Sequence, residues 1–310
     1  MPKVSVNIPC FNGQKYIAET LQSVLDQTYQ DFEVILVNDG STDRTEEIVK
    51  GFCDDRIRYY YQDNMGLART RNRLLELSNG EFVAFLDQDD LWMPAKLEKQ
   101  IPLFKKNPKV GLVYSRLICL NDEGYTYQLS RRKKMHRGYV FGELLKGNFL
   151  PVQGTVIRRE VLSALGEWFD ERFSMAEDAD LFMRIAHDYE VDYVDEPLAK
   201  RRMHKESLSH TRRDLVFEEE KILINKLKDL YPTIKEEFGC ELRLMESQIY
   251  YKEALACWAD GKSLRVRQLL RPFLSVDRRL FLPYILSCFS PYCLYTFILK
   301  LCGKYVYTPS

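Results

Sequence analysis

The chain carries no net charge: Lys and Arg number 45, and so do Asp and Glu, in 310 residues. Proteins that hold nucleic acid concentrate positive charge, so overall charge gives no indication of nucleic acid as a partner. Histidine is scarce, with 4 residues. The 8 cysteines (Cys10, Cys53, Cys119, Cys240, Cys257, Cys288, Cys293 and Cys302) include no Cys-x-x-Cys pair and no His at zinc spacing. That favours a reducing cytoplasm with buried or inert thiols. No G-x-G-x-x-G follows the first apolar run, which argues against a dinucleotide-dependent dehydrogenase, and no G-x-x-x-x-G-K-[ST] is present, which excludes a P-loop. No basic, apolar leader precedes Val4-Ser5-Val6-Asn7-Ile8, which reads as a strand, so the expected location is cytoplasmic. Long repeats are also missing; Tyr251–Leu270 reads as a single helix-turn-helix hairpin of the tetratricopeptide kind.

Hydrophobic residues at 45% and charged residues at 29% describe a globular chain with a large core. The length predicts about two domains. Strand-like runs at Val4–Ile8, Phe32–Val37, Arg56–Tyr61 and Phe82–Leu86 alternate with helical spacing at Ile17, Leu21, Val24 and Leu25, and again at Leu67, Leu74, Leu75 and Leu77. Asp43 and Glu46 read as a capping box for a helix between the second and third strands. This rhythm predicts an α/β fold with a mostly parallel sheet covered on both faces. Ligands on such sheets bind beyond the carboxyl ends of the strands, where Pro9–Asn12, Asn38–Ser41 and Asp87–Asp90 would gather. Further on, the expected elements are a strand at Val110–Leu120, a loop at Arg131–Lys134, a helix at Asp178–His187 and a strand at Val191–Asp195. Charged helices follow at Val216–Leu230 and Glu241–Trp258.

The strongest chemical signal is Asp87-Gln88-Asp89-Asp90 at the end of the apolar run Phe82–Leu86. Stacked carboxylates repel, and a hard divalent cation such as Mg²⁺ or Mn²⁺ neutralises them through oxygen ligands. Two other readings stand beside it. Aspartate-based phosphohydrolases also place Asp-x-Asp after a strand, with the first Asp as nucleophile. The acids could instead cap a helix opened by Pro94. Asn38-Asp39-Gly40-Ser41, after Val34–Val37, is either a nucleoside contact through Asp39, with Gly40 allowing close approach, or an ordinary tight turn. Glu177-Asp178 opens an amphipathic helix and is either an acid–base pair or N-terminal helix charge.

Taken together, several segments resemble one family. They are Val4–Asn12, Val37–Asp43, Asn64-x-Gly66-Leu67-Ala68-x-x-Arg71-Asn72, Gly80–Asp90, and Trp168-Phe169-Asp170-Glu171 through Ala176-Glu177-Asp178. Their order and spacing are similar to those of the family 2 glycosyltransferases, inverting nucleotide-sugar enzymes of the GT-A fold. The resemblance implies a Rossmann-like, mostly parallel sheet flanked by helices in residues 1–212, with a nucleotide-binding half at about 1–100 and an acceptor half at 101–212. A helical extension would occupy 213–310. By position, Pro9, Phe11 and Asp39 would contact the nucleobase, usually uracil, and the ribose, with Asn12 and Gly40 beside them in the nucleotide site. Arg71 would lie near the nucleotide. Asp87 and Asp89 would form the metal motif, Asp89 being the direct ligand of a Mn²⁺ or Mg²⁺ ion bridging the diphosphate. Asp178 would be the catalytic base, Glu177 would orient the acceptor hydroxyl, and His204 would approach the metal or diphosphate. The implied partners are a nucleotide-sugar donor, UDP-linked, and a glycan or lipid-linked acceptor in surface polysaccharide assembly. Two features depart from the family. Asn38 replaces the usual first Asp of Asp-Asp-Gly-Ser, which leaves base selectivity open. The Gln-x-x-Arg-Trp signature of processive synthases is missing, which favours transfer of one sugar per encounter. The rival reading is a catalytically silent sugar-nucleotide-binding or scaffolding protein.

Leu280–Leu299 contains no charged residue and is bracketed by Arg278-Arg279 and by Lys300 and Lys304. It is long enough to span a bilayer, but it holds Pro283 and Pro291, and basic flanks at both ends fit a single span poorly. Peripheral membrane contact through 280–299, a true span, and a hairpin packed on protein are the three readings; Arg131–Lys134 could add anionic-lipid binding or lie in a solvated loop.

Overall fold

The structure is a computed structural model, and it describes residues 2–121, 126–127, 134–204, 207 and 216–289. The chain divides into two units. The first comprises Met1–Phe141 and Phe149–Ser207; the second comprises Gly142–Asn148 and Leu208–Ser310.

The first unit opens with β1 (Val4–Cys10), α1 (Ile17–Leu25), β2 (Phe32–Asp39), α2 (Thr45–Lys50), β3 (Ile57–Gln62), α3 (Leu67–Leu77) and β4 (Phe82–Phe85). Then come β5 (Leu91–Trp92), α4 (Lys96–Lys106), β6 (Val110–Asn121), β7 (Thr126–Tyr127), α5 (Phe141–Leu145), whose residues from Gly142 on fall in the second unit, β8 (Val156–Arg158), α6 (Arg159–Ala164), α7 (Glu177–Asp188) and β9 (Glu190–Met203). The sheet runs β3-β2-β1-β4-β8-β6-β9-β5, with β7 paired to β6. Every residue of β1, β2 and β4 is buried. Such uninterrupted burial belongs to parallel strands covered on both faces, and these three pair in parallel. Val4, Val6, Ile8, Phe32, Val34, Leu36, Phe82 and Ala84 meet Ile17, Leu21 and Val24 of α1 in the main core. Ile35, Val37 and Leu74 form a smaller cluster on the other face.

Order β2-β1-β4 means that the chain leaves β1 toward one side and later returns on the other, the place where open α/β sheets leave a crevice. Register pairs Cys10 with Asn38, Asn38 with Tyr61, and Asn7 with Phe85, so the carboxyl ends of β1, β2 and β4 lie side by side.

Three sequence expectations need correction. Asp87–Asp90 does not cap a helix: β5 follows it, and α4 begins only at Lys96 with Ala95 at its cap. Asp43 and Glu46 form no capping box. Asp43 accepts from the Thr45 backbone N–H (3.0 Å) and hydroxyl (2.5 Å), and Glu46 pairs with Lys50 one turn on. The strand expected at Val191–Asp195 continues to Met203. Asp195-Glu196-Pro197 looks like a stop, but partners step from Ser115–Val194 to Arg116–Pro197, so a bulge absorbs the proline and the ladder resumes. Among the described residues no helix is long and apolar enough to cross a membrane. Residues 131–133 of the basic run and 290–299 of the apolar segment lie outside the described residues.

In the second unit, helices Val216–Leu230, Gly239–Ala259 and Ser263–Leu270 are accompanied by short helices at Ile234–Glu237 and Phe281–Leu286. Ala254, Leu255, Trp258, Val266, Leu269, Leu270, Phe273 and Leu280 form its core. The hairpin expected across Tyr251–Leu270 is present, turning at Asp260–Lys262.

Candidate active site

The site is built from the ends of β1, β2 and β4, the first turn of α3, the start of α7 and the end of β9. Asp39 closes β2 and is 4% exposed. Its Oδ1 accepts from Gln62 Nε2 (2.7 Å) and Met65 N (2.8 Å), and its Oδ2 from Gly66 N (3.0 Å), so one carboxylate ties down the loop leading into α3. Gly40 follows with φ +76°, and a Cβ there would lie 2.7 Å from the Asn64 backbone nitrogen, which only glycine avoids. Asn38 donates from Nδ2 to the Tyr59 hydroxyl (2.9 Å) and accepts from Ser41 N (2.9 Å).

Beside it, Pro9 is buried in β1 while Phe11 is 46% exposed, placing an aromatic face at the mouth of the crevice. Asn12 adopts φ 51° and accepts from Thr42 N through Oδ1 (2.9 Å). Gln88, the central residue of the acidic cluster, holds this loop. Its Oε1 accepts from Phe11 N (2.8 Å), and its Nε2 donates to Phe11 O (2.8 Å).

Arg71 is 2% exposed and is the hub of the site. Nη2 donates to Asp87 Oδ1 (2.7 Å) and Nη1 to Glu177 Oε1 (2.5 Å), joining β4 to α7 across the sheet end. Its guanidinium stacks within 5.6 Å of the Phe169 ring, which packs edge-on against Phe85 at 5.2 Å. Asn72, the next residue, clamps Phe169 by accepting from its N–H (2.9 Å) and donating to its carbonyl (2.9 Å). Burial works against the Arg71 charge, yet Asp87, Glu177 and Asp178 hold its pKa above the ordinary value. Burial pushes the Glu177 carboxyl up to about 7, against the pull of Arg71. The half-buried Asp178 is raised as well, by burial first, with Arg71 and the Ala179 N–H opposing. A carboxylate raised in this way is a better proton acceptor than an exposed aspartate. Glu177 Oε1 is committed to Arg71, and Oε2 is buried with no hydrogen-bond partner among the described residues.

The β5–β9 ladder pairs Leu91 with Lys200 and Trp92 with Ala199, so the strand's last residues run back past the acidic cluster. Arg202 N donates to Asp90 Oδ1 (2.7 Å), and its Nε donates to Asp89 O (3.0 Å). His204 Nε2 lies 2.7 Å from Asp89 Oδ2, and its Nδ1 is buried without a partner among the described residues. Asp90 is buried and its pKa stands well above the ordinary value, from burial first and then the charges of Asp89 and Asp87. It is a strut for β9, facing away from solvent.

Asp89 offers an oxygen ligand to a hard divalent cation, with the His204 imidazole at hydrogen-bond distance beside it. Two ligands on one Mg²⁺-type ion, each about 2.1 Å away, stand roughly 3 Å apart, and such ions take one or two carboxylates from protein when phosphates supply the rest. Among the described residues no group of three or more His, Cys, Asp or Glu side chains forms a cage. Asp87 is tied to Arg71 through Oδ1, while Oδ2 lies 3.4 Å from Gln153 Nε2.

The structure therefore brings together Asp87, Asp89, Arg71, Glu177, Asp178 and His204, and sets Pro9, Phe11, Asn12, Asp39 and Gly40 along the adjoining strand ends. The sequence assigns no individual role to Gln88, Asp90, Arg202 or Gln153. Gln88 and Asp90 lay inside the acidic motif and could have been found there. Gln153 sits in a turn with no chemical signature.

This is the arrangement of a GT-A transferase. A sequence model of glycosyl transferase family 2 matches residues 5–166, just over half of the chain, and the chain belongs to that family. It is 34% identical over 59% of its length to an uncharacterized glycosyltransferase of Rickettsia bellii. It is 47% identical over 32% of its length to a putative teichuronic acid biosynthesis glycosyltransferase, TuaG, of Bacillus subtilis. These matches span 26% and 41% of the two relatives' own lengths. Among solved structures, S. aureus TarS 1–349 in complex with UDP-GlcNAc superposes with TM-score 0.64 at 18% identity, over 98% of this chain and 93% of that one. A mannosyltransferase from Pyrobaculum calidifontis in complex with GDP-Man and Mn²⁺ gives TM-score 0.58 at 20% identity, over 98% and 88%. At such identities the superpositions establish the fold: α/β, of GT-A type, followed by C-terminal helices.

Proposed function

We propose that this glycosyltransferase moves one sugar per encounter from a UDP-linked donor to a hydroxyl of a glycan or lipid-linked acceptor, with inversion, in cell-surface polysaccharide assembly. The observation that carries the reading is the Arg71 bridge, which joins Asp87, just past β4, to Glu177 at the start of α7, next to Asp178, at the switch of the sheet. The named relative in teichuronic acid synthesis and the neighbour holding UDP-GlcNAc support the setting and the base.

Phe11 offers an aromatic face to the nucleobase. Asp39, with one lone pair still open on Oδ2, accepts from the base or ribose while its other bonds keep the loop in place. Asp89 and His204 would hold a Mg²⁺ or Mn²⁺ ion, whose charge offsets that of the departing diphosphate. Asp178 takes the proton of the acceptor hydroxyl as that oxygen forms its bond to the anomeric carbon and the bond to the diphosphate oxygen breaks on the opposite face. Arg71 opposes the burial that raises the Asp178 carboxyl, and Glu177, held by Arg71 through Oε1, flanks it on the same turn of α7.

A general base contributes about 10²–10⁴-fold. Asp178→Asn should lower turnover by that factor while UDP binding persists; undiminished turnover would remove Asp178 from the role.

A further inference from the structure

The last helix among the described residues of the second unit, Phe281–Leu286, is apolar on both sides. One side is spent internally: Leu280 and Pro283 are buried, and Tyr284 and Leu286 pack on the unit's core. The other side is bare. Phe281 (45% exposed), Leu282 (45%), Ile285 (51%) and Phe289 (87%) recur at helical spacing, and Leu264 on the neighbouring helix is 64% exposed. A helix apolar all round requires a second apolar medium, since water satisfies neither side.

The unpaired charge flanking this helix along the chain is of one sign. Arg271 and Arg278 are exposed, and no carboxylate pairs with either among the described residues. Asp277 is the last acidic residue of the chain, and it is occupied by Arg279 (2.6 Å). Beyond it every charged residue is a cation: Arg278, Arg279, Lys300 and Lys304. In a chain whose charges balance overall, this is a segregation.

We propose that this face is a docking surface for an anionic lipid bilayer, with Phe281, Leu282, Ile285 and Phe289 entering the headgroup–acyl boundary and Arg271 and Arg278 meeting lipid phosphates. Exposed aromatic and aliphatic side chains rimmed by unpaired arginines are the composition of an interfacial helix. A protein partner would be expected to leave directional polar groups or acids on the face, and the exposed residues here from Phe281 to Phe289 include neither. The inference stands apart from the transfer reaction, because none of these residues belongs to the first unit.

The test is flotation of the full chain with vesicles of phosphatidylcholine alone or with a third phosphatidylglycerol, at 50 mM and 500 mM salt. The expected result is at least about tenfold more protein on the anionic vesicles at low salt, reduced at high salt. Ile285→Glu with Phe289→Glu should bring binding down to the phosphatidylcholine level, as should Arg271→Glu with Arg278→Glu. Both variants alter exposed side chains, so an unchanged melting curve and unchanged UDP binding confirm that the protein is intact. An unbound native chain on anionic vesicles would overturn the proposal, as would binding indifferent to Ile285→Glu with Phe289→Glu. A dimer that those two changes dissociate, in a chain that ignores vesicles, would overturn it too and give the face to a second copy.

Discussion

Replacing Arg71 by methionine separates the structural from the electrostatic content of the site. The methionine stem can keep the packing against Phe85 and Phe169, so the loss is the charge and the two bonds to Asp87 and Glu177. Removing one partner of a buried ion pair costs about 3–5 kcal/mol, because the remaining charge has neither water nor counter-ion. Arg71 is 2% exposed, so no discount for solvent screening applies. For a unit of this size, 1 kcal/mol corresponds to about 2–4 °C in Tm, so Arg71→Met should melt roughly 6–20 °C below the native chain near pH 8. The sign of the pH dependence follows from Glu177. Its pKa of about 7 is already raised by burial and is being held down by Arg71, so removing Arg71 raises it further. At pH 5 the Glu177 carboxyl is protonated in both proteins and the deficit shrinks; as pH rises through 7 the native chain ionises it beside Arg71, the variant cannot, and the deficit grows. Adding Glu177→Gln to Arg71→Met should recover part of the loss at pH 8. Circular-dichroism melts at pH 5, 6.5 and 8 measure all of this. An Arg71→Met protein melting within 2 °C of native at pH 8 would refute the bridge as the organising contact of the site.

Asp178 stands above the ordinary aspartate value, so kcat/KM should climb with pH along an acidic limb whose midpoint is higher than that of a free aspartate; Arg71→Lys, with its guanidinium fork lost, should move that midpoint upward in residual activity. A flat profile between pH 4 and 7 would contradict a raised base. Gly40→Ala forces a side chain into φ +76° and against the Asn64 nitrogen, which should cost about 1–3 kcal/mol and loosen UDP binding; an unchanged melt would show that the loop gives way freely. Lys96 is fully buried, donating to Gln100 Oε1 (2.8 Å) and the Thr155 carbonyl (3.3 Å), and burial drives its pKa well below that of a free lysine. A depressed lysine makes the unfolded chain bind more protons than the folded one, so native stability rises with pH. Lys96→Met abolishes that slope, and its Tm relative to native should become more favourable as pH falls from 9 to 6; a difference independent of pH would refute a buried neutral amine.

Much of the fold was legible because its signals are local. β1, β2 and β4 announce themselves as short apolar runs, and α3 was placed by leucine spacing alone. Asp87–Asp90 stands out as one local motif at the end of an apolar run, although its partners Arg71, Arg202 and His204 lie elsewhere in the chain. Long-range register was not. Nothing near Arg202 or His204 says that β9 runs on past Pro197; that follows from a bulge against β6 and a two-residue pairing with β5. Arg71 gives no sign in the sequence of its partners, yet its guanidinium bonds Asp87 and Glu177, one of them 106 positions away in sequence. Spacing along a chain does not report such a pairing. Asp39 carried a similar ambiguity between turn and ligand contact, and its carboxylate serves the turn with three hydrogen bonds while retaining room for a donor.

If the acidic turn after β4 clamps a nucleoside diphosphate through a divalent cation, as proposed, binding must depend on both the ion and Asp89. The most direct measurement is calorimetric titration of UDP, GDP and dTDP into the native chain and Asp89→Ala, each with and without Mn²⁺. The expected result is binding of UDP that requires Mn²⁺ and is lost in Asp89→Ala, with the fold intact by melting. Binding of UDP that is indifferent to both the ion and Asp89, or no binding of any of the three, would contradict it.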